Sequence, residues 1–415
     1  MPPRSFRLIP ALTKLCFSWL LPGVPFPIRK INMTQALWTL VENSGSLTER
    51  LSALHDRLLE SVPGVDRIAC ALYDADRDRL KTFINSTRAG QVLAGYEYRL
   101  ADSLSLSQLA ESGQFRVLDE IAVAMGTDSA HATWLSEQGY RSSFTVPIYD
   151  LGKLLGFIFF DSLQPGAFKP EVQRDLVLYT TLITMSITNE MSAVRMVIES
   201  ARVARELTEM RDFETGMHLE RMGRYSRVIA REVAPTRGLN DEFVESVYLF
   251  APLHDIGKIS IPDRILLKPG KLDAEERVVM ETHVTKGMEI IERIIGRHGL
   301  SHFPDSKTLK NIVLCHHERL DGSGYPQGLS GDEVPLEARI VAVADIFDAL
   351  TAKRPYKKEW ALETAFVELE RLAGLGQLDA DCVAALRKQA WEVLEIQRRY
   401  VDPEADQDGR AAALS

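Results

Sequence analysis

The sequence predicts a multidomain protein: an N-terminal α+β sensor-like domain, a connecting helix and a C-terminal all-α domain. Three observations lead there. The chain has 415 residues, enough for two or three domains. Strand-like runs gather early, at Arg67 to Tyr73, Phe144 to Tyr149 and Leu154 to Asp161. From residue 214 onward strand signals nearly vanish and helical periodicity recurs.

Composition narrows the function classes. A hydrophobic fraction of 45% and a charged fraction of 26% argue against wholesale disorder. A formal net charge of −9 lacks the basic face that coating nucleic acid requires, so no nucleic-acid partner is expected. Cys16, Cys70, Cys315 and Cys382 form no CxxC pair, which excludes a disulfide scaffold and a zinc ribbon and fits a reducing compartment. Of nine His, seven fall between positions 218 and 317; five of them (His218, His254, His283, His316 and His317) stand beside carboxylates, whereas His298 and His302 match no ligand position.

Taken in order, residues 1–37 read as a disordered leader. No acidic residue occurs before Glu42, and the apolar run Leu15 to Leu21 stops at Pro22. That run is shorter than the ~20 residues a spanning helix needs, and no clean cleavage site follows it. Met33 is an alternative start. No membrane span and a cytoplasmic location are expected.

The sensor-like domain spans 38–186. It holds a helix from Thr48 to Ser61, a hairpin turning at Asp150-Leu151-Gly152-Lys153, and a closing helix from Pro170 to Asn189. Residues 187–213, free of Gly and Pro, form the connecting signalling helix. Ile187, Met191, Val194, Ile198 and Ala201 recur at 4-3-4-3 spacing, then the stripe shifts to Val203, Leu207 and Met210. Such spacing suggests a two-helix seam and a homodimer; the competing reading is a helix packed on its own domain. The all-α domain covers 214–400, with helices at 214–233, 241–256, 273–296, 306–317, 336–352, 361–373 and 379–399. A polar tail fills 401–415.

The chemistry concentrates in this last domain. Glu214 and His218 stand at i, i+4 on one helix face. His254-Asp255 closes a helix, and His316-His317 are consecutive at another helix end, about 100° apart. Asp345 lies in the apolar run Ile340 to Phe347, where a lone buried carboxylate is costly unless paired or metal-bound. His283 completes five imidazoles and three carboxylates. Mixed His/carboxylate ligation suits Fe, Mn, Ni or Zn rather than Mg or Ca. Eight candidate ligands exceed what one ion needs, so two or three divalent ions sharing bridging groups are expected. Such ions activate water and neutralise phosphoryl oxygens.

These residues resemble a known family. His254-Asp255-Ile-Gly-Lys258 followed by Ile261-Pro262-Asp263, the run His316 to Pro326 ending Gly324-Tyr325-Pro326, and Asp345-Ile-Phe-Asp348 followed by Arg354-Pro-Tyr-Lys357 are similar to the HD-GYP phosphodiesterases of the HD superfamily. The resemblance implies hydrolysis of the second messenger cyclic di-GMP to pGpG and/or GMP. It assigns Glu214, His218, His254, Asp255, His283, His316, His317 and Asp345 to ligand positions, with Asp255 bridging. Glu214 is the residue that accompanies a third ion, and iron or manganese is the expected metal. Lys258 matches a position near the scissile phosphate, Arg354 and Lys357 match phosphate-binding positions, and Tyr325 belongs to the loop beside the substrate. Ser260 and Lys353 depart from the usual residues without removing a ligand. Gly156 to Asp161 and Phe168-Lys-Pro-Glu171 look like a GAF domain with an unidentified ligand, lacking the pattern of the cyclic-nucleotide-binding members.

Asp348, one turn from Asp345, reads as a group that orients a histidine. Lys258 is a candidate for charge stabilisation or general acid. A rival class is a low-turnover binding or docking module whose Gly322 to Pro326 loop engages a partner such as a diguanylate cyclase domain.

Overall fold

The structure, a computed structural model, describes residues 45–124, 130–206, 216–297, 306–352 and 359–402. The predicted leader and most of the predicted tail lie outside these residues.

The first domain opens with α1 (Leu47–Ser61), started by a Ser46/Glu49 capping box and burying Leu47, Leu51, Leu54 and Leu58 on one face. Six antiparallel strands follow: β1 (Arg67–Asp74), β2 (Arg79–Thr87), β3 (Glu97–Arg99), β4 (Arg116–Leu118), β5 (Ser142–Asp150) and β6 (Lys153–Ser162). Their order in the sheet is β3-β2-β1-β6-β5-β4. Helices α2 (Leu104–Ser112), α3 (Ile121–Ala124) and α4 (Ala130–Glu137) lie between β3 and β5 in sequence. The expected β5–β6 hairpin turns at Leu151 and Gly152, both at positive φ, the geometry that matches strand twist. Strands β2, β3 and β4 and helix α2 were not expected. β2 carries Arg79 and Lys81, which blur its alternation; Lys81 is buried because it pairs with Asp74 at 2.9 Å. β3 and β4 are three residues each, too short to leave a periodic signal.

One helix, α5 (Pro170–Glu206), runs for 37 residues through both the expected closing helix and the start of the connecting helix. Its stripe turns inward on its own chain: Val194, Val197 and Ala201 join the core of the helical domain. Leu178, Met185 and Met196, from another row, are exposed, as is Val203 of the expected stripe; Leu207 and Met210 lie outside the described residues.

The second domain is helical among its described residues: α6 (Gly216–Val233), α7 (Asp241–Phe250), α8 (Asp263–Leu266), α9 (Ala274–Glu281), α10 (His283–Arg297), α11 (Ser306–Cys315), α12 (Leu336–Thr351), α13 (Leu362–Gly374), α14 (Ala380–Lys388) and α15 (Ala390–Arg399). Three expected helices are interrupted. The helix expected over 241–256 ends at Phe250 and continues as tight turns at Ala251–Leu253 and Ile256–Ser260. Those over 273–296 and 379–399 break at Thr282 and Gln389. No helix among the described residues is long and apolar enough to cross a membrane.

Beyond the apolar face of α5, the domains meet through polar groups. Glu242 of α7 caps α1, accepting from the Leu47 and Thr48 amides at 2.6 and 3.0 Å. Glu97 of β3 pairs with Arg227 of α6 at 2.6 Å and lies 3.6 Å from Arg231. Asp241 accepts from the Thr82 hydroxyl and the Gly95 amide at 2.5 and 2.9 Å.

Candidate metal centre

Four of the five histidines of the centre are aimed by a bond on the other ring nitrogen. His254 Nδ1 lies 2.8 Å from the Ala251 carbonyl, His283 Nδ1 2.8 Å from Met280 O, and His316 Nδ1 3.0 Å from Ile312 O. A carbonyl only accepts, so Nδ1 carries the proton and Nε2 presents its lone pair inward. His218, near the start of α6, instead holds Asp348 Oδ2 at 2.7 Å through Nδ1. Arg221, one turn on, donates to both Asp348 oxygens at 2.6 and 3.0 Å. Burial would raise the Asp348 carboxyl; the bonds from His218 and Arg221 outweigh it and hold it at about 2.

The ligand atoms fall into two groups, each mutually within 4.8 Å: Asp255, His283, His316 and His317 form one, and His218, His254 and Asp345 the other. Asp255 stands between them. Its Oδ1 faces His283 Nε2 at 3.1 Å and His316 Nε2 at 3.7 Å. Its Oδ2 faces His254 Nε2 at 3.0 Å and Lys258 Nζ at 2.8 Å. Yet Asp255 Oδ1, His283 Nε2 and His316 Nε2 are buried and out of line for hydrogen bonds. Buried polar atoms that converge without bonding one another fit a cation that would take all of them, and an imidazole/carboxylate set suits a first-row transition metal.

Electrostatics agree. Burial would raise the Asp255 carboxyl, but Lys258 and His254 hold it well below the ordinary carboxylate range. Burial, then the neighbouring imidazoles, pushes His316 and His317 down. The carboxylate is therefore ionised and these imidazoles neutral, as ligation requires.

Close packing sets these positions. A Cβ on Gly257 would meet the His283 carbonyl oxygen at 1.8 Å, so only glycine lets the turn carrying Asp255 and Lys258 rest against α10. Buried Glu318 accepts from the Gln327 and Leu329 amides at 2.7 and 3.0 Å and pins the loop after His317. That loop lays the Tyr325 ring beside His317, centroids 4.8 Å apart. A cavity of about 130 Å³ adjoins the centre, bounded by His316, His317, Asp345, Arg319 and Gln377.

The structure thus brings together His218, His254, Asp255, Lys258, His283, His316, His317, Tyr325, Asp345 and Asp348. Glu214, Arg354 and Lys357 lie outside the described residues. Arg221 and Glu318 were missed by sequence reasoning. Arg221 stands three residues from His218 on one helix face, a signal that was available; nothing local betrayed the long-range role of Glu318.

Residues 205–382 match the family model for the HD domain, and residues 47–187 that for the GAF domain. A cyclic di-GMP phosphodiesterase of Thermotoga maritima is 44% identical over 211 residues, 51% of this chain and 54% of that protein. The cyclic di-GMP phosphodiesterase response regulator RpfG of Xanthomonas campestris pv. campestris is 47% identical over 197 residues, 47% of this chain and 48% of its own length. The 3'3'-cGAMP-specific phosphodiesterase 2 of Vibrio cholerae is 44% identical over 161 residues, 39% of this chain and 29% of that protein. The chain spans little more than half the length of these relatives, or less.

Proposed function

We propose, for a chain whose residues 205–382 match the HD domain and whose residues 47–187 match the GAF domain, that it is a metal-dependent phosphodiesterase hydrolysing cyclic di-GMP to pGpG and/or GMP. The observation that carries this reading is the convergence of two imidazole/carboxylate groups on Asp255. Asp255 would bridge two ions, iron or manganese, with His283, His316 and His317 on one side and His218, His254 and Asp345 on the other. When bound, such ions supply water activation and neutralise charge on the phosphodiester. The protein's own groups orient the substrate. Lys258 Nζ, anchored on Asp255, offers a positive charge to a phosphate oxygen. Tyr325 walls the approach over His317.

Regulation by the GAF domain is part of the proposal. Helix α6 bears His218 on the metal centre and Arg227 and Arg231 against Glu97 of the sensor sheet, so one rigid element touches both. A homodimer on α5 would use the outward row Leu178, Met185, Met196 and Val203, because the inward stripe is already buried.

The test is metal content together with chromatographic product analysis, for wild type and Asp255→Ala, on cyclic di-GMP and 3'3'-cGAMP. At least two ions per chain and conversion of cyclic di-GMP are expected for wild type, with both lost in the variant. Metal-loaded wild type that yields no pGpG or GMP would sink the enzyme reading in favour of a docking module, for example for a diguanylate cyclase domain. Faster turnover of cGAMP would redirect the substrate assignment.

A further inference from the structure

Arg221 has a second set of partners, at the far end of the helical domain. Its Nε and Nη2 hold Asp348 at 2.6 and 3.0 Å, and Asp348 in turn holds His218 Nδ1 at 2.7 Å. On the other edge of the guanidinium, Nη1 donates to the Tyr400 carbonyl at 2.9 Å and to Asp402 Oδ2 at 3.2 Å. Asp402 falls in the polar tail expected over 401–415, yet its carboxylate closes on a buried arginine.

A guanidinium fork on a carboxylate fixes the plane the two groups share, but not where the pair sits. The Nη1 contacts supply that second constraint. A group that positions others must itself be held. The Arg224 guanidinium lies over the Tyr400 ring, 4.1 Å from its centroid, and the Tyr400 amide donates to the Ile396 carbonyl at 3.0 Å. Arg399 donates to the Asp76 carbonyl, in the turn between β1 and β2, at 2.7 Å. Glu392 of α15 lies 2.7 Å from Arg231 and 3.5 Å from Arg77 of that same turn. The end of α15 is therefore fastened to α6 and to the sensor domain together.

We propose that Asp402, with the Tyr400 carbonyl, is a positioning element of the metal centre. Through Arg221 and Asp348 it sets the His218 imidazole, and with it the affinity for an ion on the His218, His254 and Asp345 side, given that His218 is the ligand proposed above.

Stepwise manganese affinities of the full chain, measured against a competing chelator, test the proposal. Asp402→Asn should weaken one of the two ions about three- to tenfold, below the 10–100-fold expected of a group bonded directly to a ligand. The other ion should stay within about twofold, and Asp402→Glu should recover most of the loss. In an Asp348→Asn background, Asp402→Asn should change nothing further, because the two substitutions cut one chain of contacts. The proposal is overturned if Asp402→Asn binds both ions as wild type does, or if its loss adds in full to that of Asp348→Asn. Equal weakening of both ions together with a lower thermal midpoint would also overturn it, marking the segment as general support for the fold. Wild type that binds no ion would remove this role and the metal-dependent reading together. The expected affinity pattern without any pGpG or GMP formed would support the positioning role while sinking the phosphodiesterase reading.

Discussion

Asp161 in the sensor sheet and Asp255 in the helical domain are both buried carboxylates beside a cation, yet they are treated differently. Both oxygens of Asp161 have partners aligned on them, Arg67 and Ser143. Asp255 is approached by three imidazoles and a lysine at 2.8–3.7 Å, and its Oδ1 bonds to none of them. A carboxylate that closes its geometry within the protein holds the architecture together. One that gathers ligand-type neighbours without bonding them is waiting for something the chain does not supply.

The comparison can be broken at either end. The largest effect on stability is expected from Asp161→Ala, which leaves Arg67 buried and uncompensated. Urea denaturation should show a loss of about 3–5 kcal/mol, while metal content per chain stays at the wild-type value. Pairing Asp161→Leu with Arg67→Met should recover most of that loss; no recovery would mean that the pair does more than balance charge. At the metal centre, Asp348→Asn removes the group that aligns His218. Metal affinity, read against a competing chelator, should fall about 10–100-fold, with the Asp255 side of the centre still occupied. Unchanged affinity would show that α6 alone orients His218.

The smallest effect concerns the contact between domains. Burial would raise the Glu97 carboxyl, but Arg227 and Arg231 hold it below its ordinary 4.5. A carboxyl depressed in the folded state stabilises above its unfolded pKa, and that contribution disappears as pH falls through the folded value. Thermal midpoints of wild type should therefore drop as pH falls below about 4.5, and Glu97→Gln should flatten that part of the profile, costing on the order of 1 kcal/mol at neutral pH. Identical slopes in the two proteins would remove Glu97 from the account.

Legibility in the sequence followed the range of the signal. The capped helix α1, the β5–β6 hairpin and the amphipathic helices of the second domain depend on local periodicity and turn chemistry, and they could be read directly. Edge strands β3 and β4 depend on partners far along the chain, and three residues carry no period. In the metal centre, residue types and spacing pointed to His218, His254, Asp255, His283, His316, His317 and Asp345 before any geometry was known. What spacing could not reveal was their division about Asp255, because that follows from how α6, α10 and α12 pack. Helix α5 shows the same limit. A stripe at 3.5-residue spacing says that a face is covered, and the covering surface here belongs to the chain's own core.

The polar character of the domain contact has a consequence for how such proteins are assembled from parts. A greasy interface tolerates many neighbours, whereas this one demands particular ones: a carboxylate presented to Arg227 and Arg231, and an open helix N-terminus for Glu242. A different sensor grafted ahead of the same helical domain would have to bring both features in register. The charge pattern on α6 and α7 therefore works as a compatibility code for domain recombination.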